Sequence, residues 1–222
     1  MKEFKSGIYI QHKFHKSFLP TKLSRNWIID DMELIKLLSE ANQEIGKLDM
    51  FSNHIPDIDI FIRMQVAREA TDSSKIEGTQ THFDEAIKEA EDIPEERRDD
   101  WQEVQNYISA MNYGVERLST LPISSRLIRE IHRYLLEGVR GKYKNPGEFR
   151  RSQNWIGGAS VSDAAFVPPH QDDLDNLMTD LENFIHCHDE IPELVKIALI
   201  HYQFETIHPF LDLSLIHISE PT

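Results

Sequence analysis

Apolar side chains recur at helical spacing through most of the chain. Between residues 30 and 47 the positions Leu34, Leu37, Leu38 and Ala41 fall three and four apart, which predicts an amphipathic helix. The same spacing predicts further helices over residues 58–70, 81–91, 101–118, 174–185 and 194–207. Another helix should begin at a Ser124 cap, carry Leu127, Ile128, Ile131 and Leu135 on its apolar face, and end at Gly138 and Gly141. Residues 1–29 have no clean period, and we expect an irregular arm with a short strand at Gly7–Ile10. The pattern predicts an all-α chain.

Residues 142–169 interrupt this pattern, because prolines and glycines replace the apolar stripes. We predict a long irregular stretch here with two short extended pieces, Asn154–Ile156 and Phe166–Val167. A long loop inside a compact domain is usually functional. A second interruption at Asp92–Asp100 predicts a boundary between one domain at 1–95 and another at 96–212.

Composition narrows the function classes. The 222 residues carry 24 Lys and Arg against 38 Asp and Glu, a formal net charge of −14, so we expect no direct contact with nucleic acid. No apolar run is long enough to span a bilayer, so we expect no membrane partner, and the N-terminus lacks the pattern of a signal peptide. A single cysteine, Cys187, predicts a reducing compartment, and therefore the cytoplasm.

His208 and Asp212 are the residues with the clearest chemical potential. Pro209 disfavours helical geometry at the residue before it, so the last helix should end at His208 and leave its imidazole at the mouth of a groove beside the 142–169 loop. A histidine there can act as a general base near neutral pH, and Asp212 can hold a divalent cation on a phosphate. Spacing alone equally allows a second interpretation, in which His208 caps the helix and Asp212 starts a turn.

Four segments, in order along the chain, resemble the Fic family. The residues His-Pro-Phe-Leu-Asp at 208–212 are similar to the opening of its motif, His-Pro-Phe-x-Asp-Gly-Asn-Gly-Arg. The other three resemble the inhibitory-helix motif, the loop before the flap and the end of the flap; they are Ser73-x-x-x-Glu77-Gly78, Pro146–Arg150 with Gln153–Gly157, and Phe166–Pro169. The resemblance implies an all-α, Fic-type helical bundle with a short β-hairpin flap and an N-terminal helical extension.

The resemblance also implies an activity, the transfer of AMP from ATP to a Ser, Thr or Tyr hydroxyl of a target protein. His208 would take the hydroxyl proton, and Asp212 would hold Mg²⁺ on the phosphates. The flap would bind an extended segment of the target through the residues Asn154, Trp155, Ile156, Phe166 and Val167. The oligomeric state is left open, with a homodimer among the alternatives.

The Ser73–Gly78 segment implies self-inhibition. Glu77 would point at the nucleotide site, pair with an arginine late in the motif and exclude the γ-phosphate. Ser73 belongs to the same motif, and Gly78 is a plausible stop for the preceding helix. The alternative for Glu77 is a solvated charge at a helix end.

The match to the family ends at Asp212. Residues 213–222 contain no Gly, Lys or Arg, although the family motif continues with phosphate-binding glycines and arginines. This tail resembles the translation of a sequencing adapter, so we expect a non-native segment, a truncated motif and a chain that does not transfer AMP. The alternative function is a non-catalytic helical adaptor that binds an extended peptide at 142–169.

Overall fold

The structure, a computed structural model, describes residues 5–76, 78–138, 144–187 and 190–211. Within these ranges it is mostly helical, which confirms the predicted fold class. The described ranges contain seven α-helices and one two-stranded antiparallel sheet: β1 Gly7–Gln11, β2 Lys16–Pro20, α1 Met32–Ser52, α2 Ile58–Ile76, α3 Phe83–Ala86, α4 Arg98–Arg117, α5 Ser125–Leu135, α6 Leu174–His186 and α7 Glu193–Ile207.

The main core lies between α6, α7 and the N-terminal arm. The stripe predicted on α6 is buried there, and Leu23 and Ile207 join it; the α6 members are Leu174, Leu177, Met178, Leu181 and Phe184. Burying each such side chain stabilises the fold by about 2 kcal/mol. A smaller cluster of Ala70, Ala86 and Val104 holds α2, α3 and α4 together.

Several helix ends follow directly from local sequence. Ser124 caps α5 as predicted, since its Oγ accepts a hydrogen bond from the Leu127 backbone N–H at 3.3 Å. Helix α2 ends at Ile76, and Gly78 has a φ of +96°, a conformation that side chains disfavour. Gly78 is therefore the stop that the sequence predicts.

Helix α3 is shorter than predicted. The expected helix extends to residue 91, but α3 ends at Ala86 and a short 3-10 turn follows at Ala90–Asp92. Side chains of α4 donate to the last two carbonyls of this helix. The indole of Trp101 donates to the Glu85 carbonyl at 3.0 Å, and Gln105 donates to the Ala86 carbonyl at 2.7 Å.

The N-terminal arm is more regular than predicted. The strand expected at residues 7–10 is present as β1. No pattern in the sequence predicts β2, which pairs with β1 and is buried at Ser17 and Phe18. After β2 the arm joins the core through Leu23, whose backbone N–H donates to the Asp180 carboxylate at 2.7 Å. The arm is thus a packed element of the fold.

Helix α1 stands apart from this core. Asp31 caps it by accepting from the Glu33 and Leu34 backbone N–H groups, yet none of its 21 residues is buried. Across the described ranges, no helix combines the length and apolarity that a membrane crossing needs. The predicted division into domains at residues 95 and 96 stays a prediction.

Candidate active site

The last described helix ends where Pro209 requires it to end. Helix α7 stops at Ile207, and His208 adopts the left-handed conformation, with φ 48° and ψ 65°. Its backbone N–H still donates to the Phe204 carbonyl at 3.0 Å, which closes the final turn. A non-glycine residue held this way costs about 1 kcal/mol or more, so the surroundings must enforce it.

The buried guanidinium of Arg150 provides much of that enforcement. It donates to the His208 carbonyl at 2.9 Å and to the Ile207 carbonyl at 3.3 Å. It also reaches the Pro169 carbonyl at 2.6 Å and the Ser152 carbonyl at 3.1 Å. Burial lowers the pKa of Arg150 to about 10, so it remains charged at neutral pH and complements the negative end of the α7 dipole.

Asn154 and the Arg150 backbone complete this grip. The Asn154 side-chain amide donates to the His208 carbonyl at 3.3 Å and to the Phe210 carbonyl at 3.1 Å. The Arg150 backbone N–H donates to the Pro209 carbonyl at 2.8 Å. Every carbonyl from Ile207 to Phe210 therefore accepts a hydrogen bond from the segment 150–154, which fixes the backbone of the His-Pro-Phe sequence.

The position of the His208 side chain corrects one expectation. The sequence predicts an imidazole open to a groove, but His208 is only 4% exposed. A groove of about 450 Å³ does lie beside the 148–151 loop, and its lining includes Arg129, Arg150 and Asp175 but not His208. The last carbonyls of α7 are capped by the Arg150 side chain rather than by that of His208. The helix end was predictable from Pro209, whereas burial depends on packing that local sequence does not report.

Phe210 is held by an imidazole that sequence reasoning missed. The ring of His132 on α5 stacks on Phe210 with centroids 3.7 Å apart and an angle of 6° between planes. Its Nδ1 accepts a hydrogen bond from the Gly147 backbone N–H at 2.8 Å. Burial lowers the pKa of His132 to about 4, so the ring is neutral at physiological pH, as an acceptor must be.

The two predicted extended pieces meet as a minimal hairpin, the flap, which we define as residues 154–167. Ile156 and Phe166 exchange both backbone hydrogen bonds, at 2.8 and 3.1 Å, in an antiparallel bridge. At the tip, the Asp163 carboxylate accepts from the Ala159 and Ser160 backbone N–H groups at 2.9 and 2.7 Å. The pKa of Asp163 is lowered, mainly by a hydrogen bond from the Ser160 side chain and to a smaller extent by these backbone donors.

The five predicted flap residues do not share one environment. Asn154 and Val167 are buried, and the Asn154 side chain is committed to the His208 and Phe210 carbonyls. The side chains of Trp155, Ile156 and Phe166 are partly exposed. Any contact of the flap with another protein would therefore use these three side chains rather than Asn154 or Val167.

The predicted inhibitory residues lie on or beside α2, which packs on α3 and α4. The Ser73 hydroxyl donates to the Glu69 carboxylate at 2.8 Å on the same helix, rather than toward Ile207–Phe210. Gly78 ends the helix with its positive φ. Glu77 and Asp212 lie outside the described residues, as does the tail 213–222. The roles predicted for these residues stay predictions.

Family models match nearly all of the helical part of the chain. A model described as Fic/DOC family N-terminal matches residues 35–116, and one described as Fic/DOC family matches residues 122–212. The chain belongs to the Fic family. The second match covers the 150–154 segment, the flap and the His-Pro-Phe sequence, so the geometry described above is that of the Fic domain.

Relatives of this Fic protein include two named protein adenylyltransferase Fic, from Drosophila grimshawi and Drosophila willistoni. Each is 32% identical over 120 residues, which are 51% of this chain and 22% of the relative. The chain spans about a fifth of the length of the curated relatives it matches. A Fic family protein from Desulfovibrio desulfuricans G20 has a similar fold, with a TM-score of 0.64 and 21% identity over 84% of this chain and 54% of that chain.

Proposed function

We propose that this Fic protein is part of an enzyme that transfers AMP from ATP to a hydroxyl side chain of a target protein. The observation that carries the proposal is the grip of Arg150 and Asn154 on every carbonyl from Ile207 to Phe210. It links the His-Pro-Phe sequence rigidly to the base of the flap. The names of the Drosophila relatives support the same activity.

In the proposed reaction, one proton is transferred and one phosphorus–oxygen bond replaces another. The His208 imidazole takes the proton of the target hydroxyl, and the oxygen attacks the α-phosphorus of ATP. The bond from that phosphorus to the bridging oxygen breaks, and pyrophosphate leaves with the electron pair. Because His208 is buried in this structure, the imidazole must become uncovered before a hydroxyl can reach it.

The proposed reaction also includes a magnesium ion, which its substrate would largely hold. Within the described ranges, no group of three His, Cys, Asp or Glu side chains could hold a metal. Mg²⁺ is commonly bound by one or two carboxylates together with substrate phosphates, and Asp212 would supply such a carboxylate. When bound, the ion would neutralise negative charge on the phosphates of ATP.

The target would present its hydroxyl in an extended segment added to the flap. The Ile156–Phe166 bridge supports this, since it already holds the flap in the β-conformation that strand addition needs. The three partly exposed flap side chains would then select the sequence of the target. The predicted cytoplasmic location is compatible with the single exposed cysteine, Cys187.

Self-inhibition by Glu77 is the finer part of the proposal. Its support is the resemblance of Ser73-x-x-x-Glu77-Gly78 to the inhibitory-helix motif of the family, together with the end of α2 at Ile76 and the positive φ of Gly78. Glu77→Gly should raise AMP transfer in an active form of the enzyme. Unchanged or lower AMP transfer by this variant would refute self-inhibition by Glu77.

The 222-residue chain itself should be inactive. Residues 213–222 offer no Gly, Lys or Arg to the phosphates, so nothing in them replaces the glycines and arginines of the family motif. A calorimetric titration of this chain with Mg-ATP should detect no tight binding. Tight binding would show that the phosphate site does not depend on those residues.

The deciding experiment uses an extended chimera, in which the segment after Asp212 is replaced by the corresponding Gly-Asn-Gly-Arg segment and following helix of a Fic relative. It should transfer radiolabelled AMP to proteins of a cell lysate when Glu77 is also replaced by Gly. The same chimera with His208→Ala should not. Transfer that survives His208→Ala refutes the assigned base, and a folded chimera that binds peptides without any transfer favours the adaptor.

A further inference from the structure

The N-terminal hairpin, strands β1 and β2, makes direct contact with the flap. The Phe18 backbone N–H on β2 donates to the Val167 carbonyl at 2.8 Å. The rings of Phe18 and Phe166 lie 5.9 Å apart. Strand β2 is therefore flanked on one side by β1 and on the other by the flap, which explains why Ser17 and Phe18 are buried while Ile8 and Tyr9 on β1 are 56% and 64% exposed.

This contact leaves the flap with one available edge. Both backbone groups of Phe166 face Ile156, and alternation along a strand turns those of Val167 to the opposite side, where Phe18 lies. The outer edge of the flap is thus taken by the chain's own β2. By the same alternation, the backbone groups of Trp155 face away from Phe166, and within the described residues no hydrogen bond to them occurs.

The edge at Trp155 is also the one tied to the candidate catalytic segment. Asn154, the preceding residue, donates to the His208 and Phe210 carbonyls. Arg150, four residues earlier, donates to the Ile207 and His208 carbonyls. A strand added beside Trp155 therefore has its register set relative to His208 through the few residues between 150 and 155.

A stack of three imidazoles holds the hairpin in place a second time. His12 in the hairpin turn lies between His15 and His170, with ring centroids 4.9 and 5.1 Å apart. His170 follows directly after Pro168 and Pro169 at the end of the flap, and His12 Nε2 is 2.8 Å from the Ser17 hydroxyl. The hairpin is thus joined to the flap through the backbone, and to His170, three residues beyond the flap, through side chains.

We propose that the N-terminal hairpin is the supporting strand of the flap. It occupies the outer edge at Val167, holds the flap in one register and directs the extended segment of the target to the Trp155 edge. Phe18 is a positioning residue, because it contacts the flap and not the reacting atoms. The part that concerns the target rests on the proposed function, whereas the support of the flap does not.

The first test needs only the 222-residue chain. Phe18→Pro removes the N–H that donates to Val167, and Phe18→Leu retains it. Hydrogen exchange of the Ile156 and Phe166 amides should become about fivefold faster in the proline variant, the factor that one lost backbone hydrogen bond implies, and should stay near wild type in the leucine variant. Equal flap exchange in the wild type and the proline variant would overturn the proposal.

A second variant covers the case in which proline disturbs the whole fold. If exchange also accelerates at the core amides of α6, His170→Ala decides instead, because it breaks the imidazole stack without touching the backbone of β2. Flap exchange should then rise by a few-fold while α6 exchange stays unchanged. Wild-type exchange at Ile156 and Phe166 in that variant contradicts the support role.

The third test addresses the target in the extended chimera. Phe18→Pro should raise the KM for the target protein by about fivefold, the effect of one lost hydrogen bond, and leave the KM for ATP unchanged. A lower KM for the target would mean that the hairpin competes for the flap rather than supports it, which refutes the proposal. If the chimera transfers no AMP at all, the proposed function fails while the exchange experiment still judges the support role.

Discussion

The Ile207–Phe210 segment and helix α1 are stabilised in opposite ways. This segment consists of the last residue of α7 and the three irregular residues after it. All four are buried, and each of their carbonyls accepts a hydrogen bond from residues 150–154. Helix α1 is perfectly regular, yet it has no buried residue and exposes Leu37, Leu48 and Phe51 by more than half. Regular secondary structure is therefore no guide to where this fold is firmly held. Packing and side-chain hydrogen bonds decide that, and they concentrate around the candidate site.

The largest effect should come from removing the buried guanidinium. Arg150→Met leaves the Ser152, Pro169 and Ile207 carbonyls without their side-chain donor, and the His208 carbonyl keeps only Asn154. We expect a loss of about 5 kcal/mol in the free energy of unfolding. Urea denaturation followed by circular dichroism measures it. The matched control is Arg151→Met, because that side chain is 88% exposed and should cost less than about 0.5 kcal/mol. Equal urea denaturation midpoints for the two variants would contradict the stabilising role assigned to Arg150.

A pair of leucines tests the comparison directly. Leu181→Ala on α6 should cost about 4 kcal/mol, because it opens a cavity in the main core where Leu181 is 1% exposed. Leu48→Ala on α1 should change the free energy of unfolding by less than about 0.5 kcal/mol. Thermal and urea unfolding of both variants would show it. A large loss from Leu48→Ala would mean that α1 is covered by something in solution.

The neutral imidazole of His132 makes the site region sensitive to acid. Burial lowers its pKa from 6.5 to about 4, so above pH 6.5 the ring is neutral in both states and its stabilisation is fully present. As the pH falls from 6.5 to 4, the unfolded chain binds a proton that the folded chain excludes, and about 3 kcal/mol is lost. Unfolding free energies measured across this range should fall more steeply for the wild type than for His132→Gln. If the free energy of unfolding fell equally with pH in both proteins, His132 would not be a buried neutral imidazole.

The smallest effect should be confined to α1. Asp31→Ala removes the acceptor of the Glu33 and Leu34 N–H groups and should destabilise the first turn by about 1 kcal/mol. Hydrogen exchange should quicken at the start of α1 and nowhere in α6. Asp31→Asn retains a capping side chain and should behave as the wild type does. Acceleration that spreads to the core would show that α1 is coupled to it.

Much of the helical framework could be predicted because its causes are local. The stripe on α6, the cap at Ser124 and the stop at Gly78 each depend on residues within one or two turns. The end of α7 followed from Pro209, which acts on the residue directly before it. The family resemblance added the order of the site segments.

The unpredicted features depend on residues distant in sequence. Arg150 binds carbonyls 57 and 58 positions away, and no local pattern announces that its guanidinium is buried. Strand β2 is stabilised by Val167, and α3 ends early where Gln105 donates to its Ala86 carbonyl. The burial of His208 has the same origin. Each is a tertiary contact that overrides or supplements local preference.

Arg150 and Asn154 grip only main-chain oxygens, and this has a practical consequence. Such a grip does not recognise which side chains the gripped residues carry. Under the proposed function, replacing the imidazole at position 208 would abolish AMP transfer while the loop kept its conformation. The variant would still bind its targets at the flap, and it could therefore be used to isolate them.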